Sequence, residues 1–312
     1  MTLAFVFPGQ GSQAVGMLDA FAGSPAVQAL LAEADAALGE PLSGLIADGP
    51  AEALALTVNT QPAMLVAGLA CYRAWLEAGG PQPRAVAGHS LGEYTALAAA
   101  GAIGVADAVR LVRLRAQGMQ EAVPVGQGAM AAILGLEDAT VAQACSEALE
   151  GHAGEVVEPV NFNAPSQVVI AGHRTAVERA CERAKALGAK RALPLPVSAP
   201  FHSSLLEPAG RRLAEALQGI ELRAPQFDLV NNVDVAIESD PARIRDALVR
   251  QASHAVRWVE VVQRLKSLGV TQVVEFGPGK VLAGLVSRID KSLKVAAVHD
   301  PASLEKLLGE LA

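Results

Sequence analysis

Apolar positions in this sequence alternate between short unbroken runs and stripes at helical spacing. The run at 3–7, LAFVF, is closed by Pro8-Gly9, which predicts a buried strand ended by a turn. Three helical patterns follow before residue 59. Asn59-Thr60 then offers an N-cap with Pro62 in the first turn, and the segment from there to Glu77 is apolar almost all round, so a central helix is expected. A strand is expected at 84–87, with helices starting at Leu91 and at Val105. Beyond Gln127 the pattern becomes strand 130–134, helix 138–149, strand 156–161, a turn at 163–166, strand 168–171, helix 175–187 and strand 191–195. That βαββαβ order is ferredoxin-like. Pro194, Pro196 and Pro200 punctuate its end, and further helices and a strand at 272–275 follow. The expected fold class is α/β. A large α/β-hydrolase-like domain with a mostly parallel sheet is built from 1–125 and 197–312, and a smaller ferredoxin-like domain, 126–196, is inserted into it.

Composition supports this and removes some functions. Of 312 residues, 51% are hydrophobic and only 18% charged, enough apolar material for a sizeable core. The net charge of −7 comes without a basic stripe, so a nucleic-acid partner is not expected. The longest apolar stretch, 62–70, is too short to span a membrane. The N-terminus lacks a basic segment before its apolar run and reads as a strand, not a leader. Cys71, Cys145 and Cys181 are far apart and form no CxxC pair, which fits a reducing compartment and a cytoplasmic protein.

Three features carry chemistry. Gly88-His89-Ser90-Leu91-Gly92 matches GxSxG, with a short apolar run before it and a helical Ala/Leu run after it. In a nucleophile elbow the serine hydroxyl stands exposed on a tight strand-to-helix turn, and the next backbone N–H, that of Leu91, points at the oxyanion. An ordinary N-cap serine in a glycine-rich turn is the competing reading. The second feature is the base that such a serine needs. His89 is adjacent in the chain and points the other way, as a packed neighbour. His152 and His173 sit in polar loop contexts and are expected to be solvated. His202 lies in the irregular stretch 197–202 before an amphipathic helix at 204–217, and locally a capping or surface histidine is as good a reading as a base.

The third feature is Arg115. At 100° per residue it shares a face with Ala108, Leu111, Val112, Met119 and Ala122, whereas Arg110, Arg113, Gln117 and Gln120 fall on the side expected to meet water. A guanidinium on an apolar face needs an anion, and its planar fork suits a carboxylate. Either a buried Asp or Glu supplies that anion or a substrate does.

Taken together, the motifs resemble the malonyl-CoA:acyl-carrier-protein transacylases of bacterial type II fatty-acid synthesis and the acyltransferase domains of polyketide synthases. The matching pieces include FVFPGQGSQ at 5–13, NTQPA at 59–63, GHSLGEY at 88–94, VRLRAQGMQEA at 112–122, NFNAPSQVVIAG at 161–172, APFH at 199–202, VNNVD at 230–234, LVRQ at 248–251 and EFGPGKVL at 275–282. They run from end to end in the family's order. The resemblance implies that Ser90 is the acylated nucleophile and His202 its base, oriented by the main-chain carbonyl of Gln251. It further implies an oxyanion hole from the backbone of Gln10 and Leu91, a malonyl carboxylate on Arg115, Gln61 lining the site, and Asn161 and Asn163 near the cleft. Phe201 stands where several bacterial members have a small residue. In polyketide acyltransferases a Phe there accompanies the choice of malonyl over methylmalonyl. The implied substrates are malonyl-CoA and a phosphopantetheinylated acyl carrier protein, with no cofactor and no metal, and a monomer is expected. Lys280, Arg288, Lys291 and Lys294 could meet an acidic carrier or be ordinary solvated charges.

Two other readings compete. An α/β-hydrolase esterase or thioesterase would use Ser90, Glu275 and His299 in that chain order, with no role for GQGSQ or Arg115. A carrier-docking subunit that has lost catalysis would need none of Ser90, His202 or Arg115.

Overall fold

The computed structural model describes residues 2–197 and 199–311; Met1, Ser198 and Ala312 lie outside the described residues. Two sheets organise the α/β fold. The first has five parallel strands in the order β7-β2-β1-β8-β9: β1 Leu3–Phe7, β2 Ala85–Gly88, β7 Asp228–Val230, β8 Gln272–Phe276 and β9 Lys294–Val298. Strands β1, β2 and β8 are buried at every position, which is why they read as unbroken apolar runs. The second sheet is antiparallel, in the order β4-β5-β3-β6: β3 Gly128–Leu134, β4 Val157–Ala164, β5 Gln167–His173 and β6 Arg191–Pro194. Helices Asp138–Ala148 and Arg174–Ala186 connect its strands, which gives the expected ferredoxin-like βαββαβ unit.

Helix Thr57–Glu77 is buried along most of its length and packs an aromatic cluster against the first sheet. Phe5, Tyr72, Trp75 and Phe276 meet mainly edge to face there, with Phe5 and Phe276 centroids 4.7 Å apart. The helix departs from the expectation of an N-cap at Asn59-Thr60. It begins at Thr57, one turn earlier, and Pro62 lies inside it. Both polar side chains turn back onto the preceding helical turn, Asn59 Nδ2 donating to Ala53 O and Thr60 Oγ1 to Leu54 O. They satisfy carbonyls upstream instead of opening the helix.

Other boundaries shift for local reasons. Asn163 and Ala164, expected in a turn, complete β4, whose pairing with β5 is irregular at Pro159/Asn161 and Phe162/Ala164. Helix 204–217 is a 3-10 turn, Ser204–Leu206, running into Glu207–Leu217. Strands β7 and β9 gave no clear signal. One has three residues, and the other, KVAAV, is a half-buried edge.

The strand order positions the site. From β1 the sheet grows through β2 to β7 on one side and through β8 to β9 on the other. Ligand crevices in open α/β sheets form outside the carboxyl ends of strands, where the order reverses. Pro8-Gly9-Gln10 leaves the carboxyl end of β1, and His89-Ser90 that of β2. The second sheet is stitched to the same end. Phe162 N donates to Val256 O and Val256 N to Val160 O, and Ser204 donates to Glu158 through its N–H and its hydroxyl, both at 2.8 Å. Among the described residues no helix is long and apolar enough to cross a membrane.

Candidate active site

Ser90 sits in the turn between β2 and helix Gly92–Ala99 with φ 53°, a left-handed conformation that costs a non-glycine residue about 1–2 kcal/mol. The two flanking glycines make the turn possible. A Cβ on Gly92 would stand 1.9 Å from Phe7 O, and one on Gly88 would stand 1.9 Å from Gly92 C. Asn232, fully buried after β7, supports the turn from below. Its Oδ1 accepts from Ser90 N at 2.8 Å and its Nδ2 donates to Gly88 O at 2.7 Å. The turn has the geometry of a nucleophile elbow and the serine is not an N-cap, for among the described residues its side chain accepts nothing from the helix.

Ser90 Oγ lies 2.6 Å from His202 Nε2. His202 Nδ1 lies 2.9 Å from the Gln251 carbonyl. A carbonyl can only accept, so Nδ1 carries the proton and Nε2 presents its lone pair to the serine hydroxyl. Burial, then the nearby Arg115 charge, push the imidazole down to about 3, so it is neutral at physiological pH. His202 also holds a positive φ, 66°. It is 5% exposed, so the surface and capping readings fall.

Arg115 points inward from helix Val105–Glu121 and is 2% exposed. Its Nη1 donates to Gln61 Oε1 at 2.7 Å, and its Nη2 to Gln251 Oε1 at 2.9 Å and to Ser90 Oγ at 3.1 Å. The guanidinium lies 5.3 Å over the Tyr94 ring. Its Nε has no partner among the described residues. Two neutral amides hold this charge, and no described carboxylate forms an ion pair with it. Of the arginines expected in water, Arg110 is exposed. Arg113 is not: its side chain is only 17% exposed and pairs with Glu40, because the chain after helix Pro25–Leu38 covers that flank.

Two buried groups that sequence reasoning did not single out complete the network. Glu93 Oε2 accepts from Gln251 Nε2 at 2.9 Å and from Asn232 N at 3.0 Å, and Gln251 Nε2 also donates to Ser90 O at 2.9 Å. Burial lifts the Glu93 carboxyl to about 7, against the pull of these donors. Their only signal was their place in GHSLGEY and VNNVD.

A cavity of about 140 Å³ opens over Ser90, lined among others by Gln61, Arg115, Asn161, Phe201 and His202. Gln10 and Leu91 also face it, and among the described residues neither backbone N–H donates a hydrogen bond. Through Gln10, Leu195, Val197 and Phe201 it adjoins a groove of about 860 Å³ that runs along residues 55–60. Asn163 stands behind the cavity and meets His89 Nε2 at 2.8 Å, while the His89 ring packs edge-on against Trp258. His173 is not solvated as expected, for its Nδ1 accepts from Val156 N at 2.9 Å. Glu275 and His299, the alternative triad, are placed elsewhere: Glu275 Oε2 accepts from Ala283 N at the start of helix Val281–Ile289, and His299 lies against Asp300.

Residues 4–311 match the family model described as the acyl transferase domain. The chain belongs to this acyltransferase family. Within it, the chain is 56% identical over 306 residues to the malonyl CoA-acyl carrier protein transacylase of Escherichia coli (strain K12), covering 98% of each. It superposes with a TM-score of 0.96 on the acyl-carrier-protein S-malonyltransferase of Burkholderia pseudomallei 1710b, at 64% identity over 99% of this chain and 100% of the other. The TM-score is also 0.96, at 52% identity, with a malonyl-transacylase solved in complex with its type II PKS acyl-carrier protein, over 99% of this chain and all of the other. The resemblance read from GQGSQ and GHSLGEY therefore holds over nearly the whole length.

Proposed function

We propose that this chain transfers a malonyl group from malonyl-CoA to the phosphopantetheine thiol of an acyl carrier protein, through an ester on Ser90. The observation that carries the reading is Arg115. It is a buried guanidinium 3.1 Å from Ser90 Oγ, held by amides, with no carboxylate among the described residues paired to it. A malonyl carboxylate would complete it, and its bidentate fork suits that geometry. Acyl groups without a carboxylate would leave it unpaired.

In this reading His202 Nε2 takes the proton as Ser90 Oγ attacks the thioester carbonyl. The oxyanion is met by the N–H groups of Gln10 and Leu91, and the C–S bond breaks as the imidazolium returns its proton to the coenzyme A sulfur. The carrier thiol then gives its proton to His202 and attacks the ester. The tetrahedral intermediate collapses, and Ser90 leaves as the alkoxide that His202 reprotonates. The Gln251 carbonyl takes the place of an acidic third member, sufficient for an activated thioester. Gln61 holds Arg115, Asn161 and Phe201 wall the acyl pocket, and Asn163 fixes His89 behind it. No step calls for a cofactor. The division of labour follows the chain: 1–125 and 197–312 form the catalytic unit and 126–196 the smaller one that closes the cleft. The enzyme acts as a cytoplasmic monomer, a compartment that suits three free, buried thiols.

Intact-protein mass spectrometry after mixing with a panel of acyl-CoAs tests the proposal. A malonyl adduct on Ser90 that disappears on adding a phosphopantetheinylated carrier protein is the expected result. Hydrolysis without transfer, or no adduct, would overturn it.

A further inference from the structure

Gln251 touches three site groups at once. Its carbonyl holds His202, its Oε1 holds Arg115, and its Nε2 faces Ser90 O. An amide placed this way works only if its side chain stays put, because its oxygen must meet the donor-only guanidinium and its NH2 two acceptors. The second acceptor is Glu93, 2% exposed on the first turn of the elbow helix, three residues after the serine. The same Glu93 oxygen accepts from Asn232 N, and Asn232 is the residue that accepts Ser90 N–H.

We propose that Glu93 is a positioning residue: one buried carboxyl oxygen fixes Gln251 and Asn232 together, and through them sets the aim of Arg115 and the seat of Ser90. Its acceptor oxygen matters here more than its charge. Glu93 forms no ion pair with Arg115; the Gln251 amide stands between them. The guanidinium thus has a buried acid nearby that occupies none of its donors, and those not already used by Gln61, Gln251 and Ser90 stay available to a substrate carboxylate. A carboxyl in direct contact would compete with the substrate for the same fork.

The inference rests on the malonyl reading above, and the two fail separately. Absence of a malonyl adduct on the unmutated chain sinks that reading, whereas this inference is decided by variants of a chain that forms the adduct. The measurement is kcat and KM for malonyl-CoA and acetyl-CoA in Glu93→Leu, Glu93→Gln, Gln251→Leu and the Glu93→Leu/Gln251→Leu double variant. Gln251→Leu leaves the main-chain carbonyl that holds His202.

Losing a buried acceptor should lower malonyl kcat/KM about 10-fold or more in Glu93→Leu, mostly through KM, with a smaller loss for acetyl. Glu93→Gln keeps an acceptor oxygen and should recover most of the malonyl preference. In the Gln251→Leu background, Glu93→Leu should cost little more. Additive losses would overturn the proposal. So would Glu93→Gln as poor as Glu93→Leu, or malonyl and acetyl falling alike with the melting temperature. Should Glu93→Leu fail to fold, Glu93→Asp withdraws the acceptor by one methylene while keeping the charge. It must then show the same loss of preference, and an unchanged preference overturns the proposal equally.

Discussion

Ser90 and His202 meet at 2.6 Å, and both hold a positive φ, 53° and 66°. Two residues without glycine's freedom are thus kept in the left-handed region to bring one hydroxyl to one imidazole, and such strain clusters where function needs it. Relief of that strain can be measured. Ser90→Gly and Ser90→Ala both remove the hydroxyl and should abolish the acyl adduct. Only glycine removes the Cβ that makes φ 53° costly. Ser90→Gly should therefore be more stable than Ser90→Ala by about 1 kcal/mol in denaturant melts. The reverse order would show that the elbow is not strained at this residue.

His202 makes a prediction in pH. Its imidazole is held at about 3, well below the ordinary 6.5, so the unfolded chain binds a proton that the folded one refuses. The stability this contributes is complete above about pH 6.5 and is lost as pH falls from there toward 3. Melting temperatures should drop more steeply from pH 7 to 4.5 in the wild type than in His202→Gln. Acylation of Ser90 should likewise show no inflection near pH 6.5. A kinetic pKa of about 6.5 that persists in Glu93→Gln, where the carboxyl that burial lifts to about 7 is gone, would mean that His202 is solvated when substrate enters.

Asn232→Ala should damage both stability and rate. It leaves the buried Gly88 C=O and the part-buried Ser90 N–H without partners, at about 1–3 kcal/mol for the first and less for the second. Asn232→Asp should not rescue it, because a carboxylate oxygen would then face the Gly88 carbonyl with Glu93 nearby. Thermal melts and single-turnover acylation check this. Unchanged values in Asn232→Ala would remove it from the support of the elbow.

Arg115→Ala should collapse the preference for malonyl over acetyl. Breaking one side of a buried charge pair costs about 3–5 kcal/mol, so malonyl kcat/KM should fall roughly 10²–10⁴-fold. Acetyl transfer should hold or rise, since no guanidinium is then left unpaired. Lysine should restore the preference only in part. Equal losses for both donors, with a lower melting temperature, would make Arg115 a structural residue.

How far the site could be read from sequence depends on the reach of each signal. Arg115 was legible from helical phase alone, because an inward arginine breaks a periodic stripe. Ser90 was legible from a strand, two glycines and a helix in succession. His202 was not, since a loop histidine has no periodicity to break; only the resemblance favoured it. Glu93 and Asn232 carry no distinct local signal, since an acid in the first turn of a helix is favoured by the helix dipole anyway and asparagines are common in turns. Their roles are contacts across 139 and 142 residues of chain, which local patterns do not encode. The cap expected at Asn59-Thr60 failed for the opposite reason. Its local signal was sound, but the same side chains found acceptors one turn upstream.

The bonds from β4 to Val256 and from Glu158 to Ser204 have a consequence for the origin and redesign of this chain. The βαββαβ unit from Gly128 to Pro194 interrupts the chain like a cassette, yet it cannot be treated as a removable one. Joining 125 to 197 would preserve Ser90, Arg115 and His202 in sequence. It would also free the segment after Gln251, release the turn that follows His202 and strip His89 of Asn163. The insertion is a brace as much as a wall, so exchanging it between relatives should succeed only when the incoming β4 still bonds the recipient's Val256 and its acid at 158 still meets the recipient's Ser204.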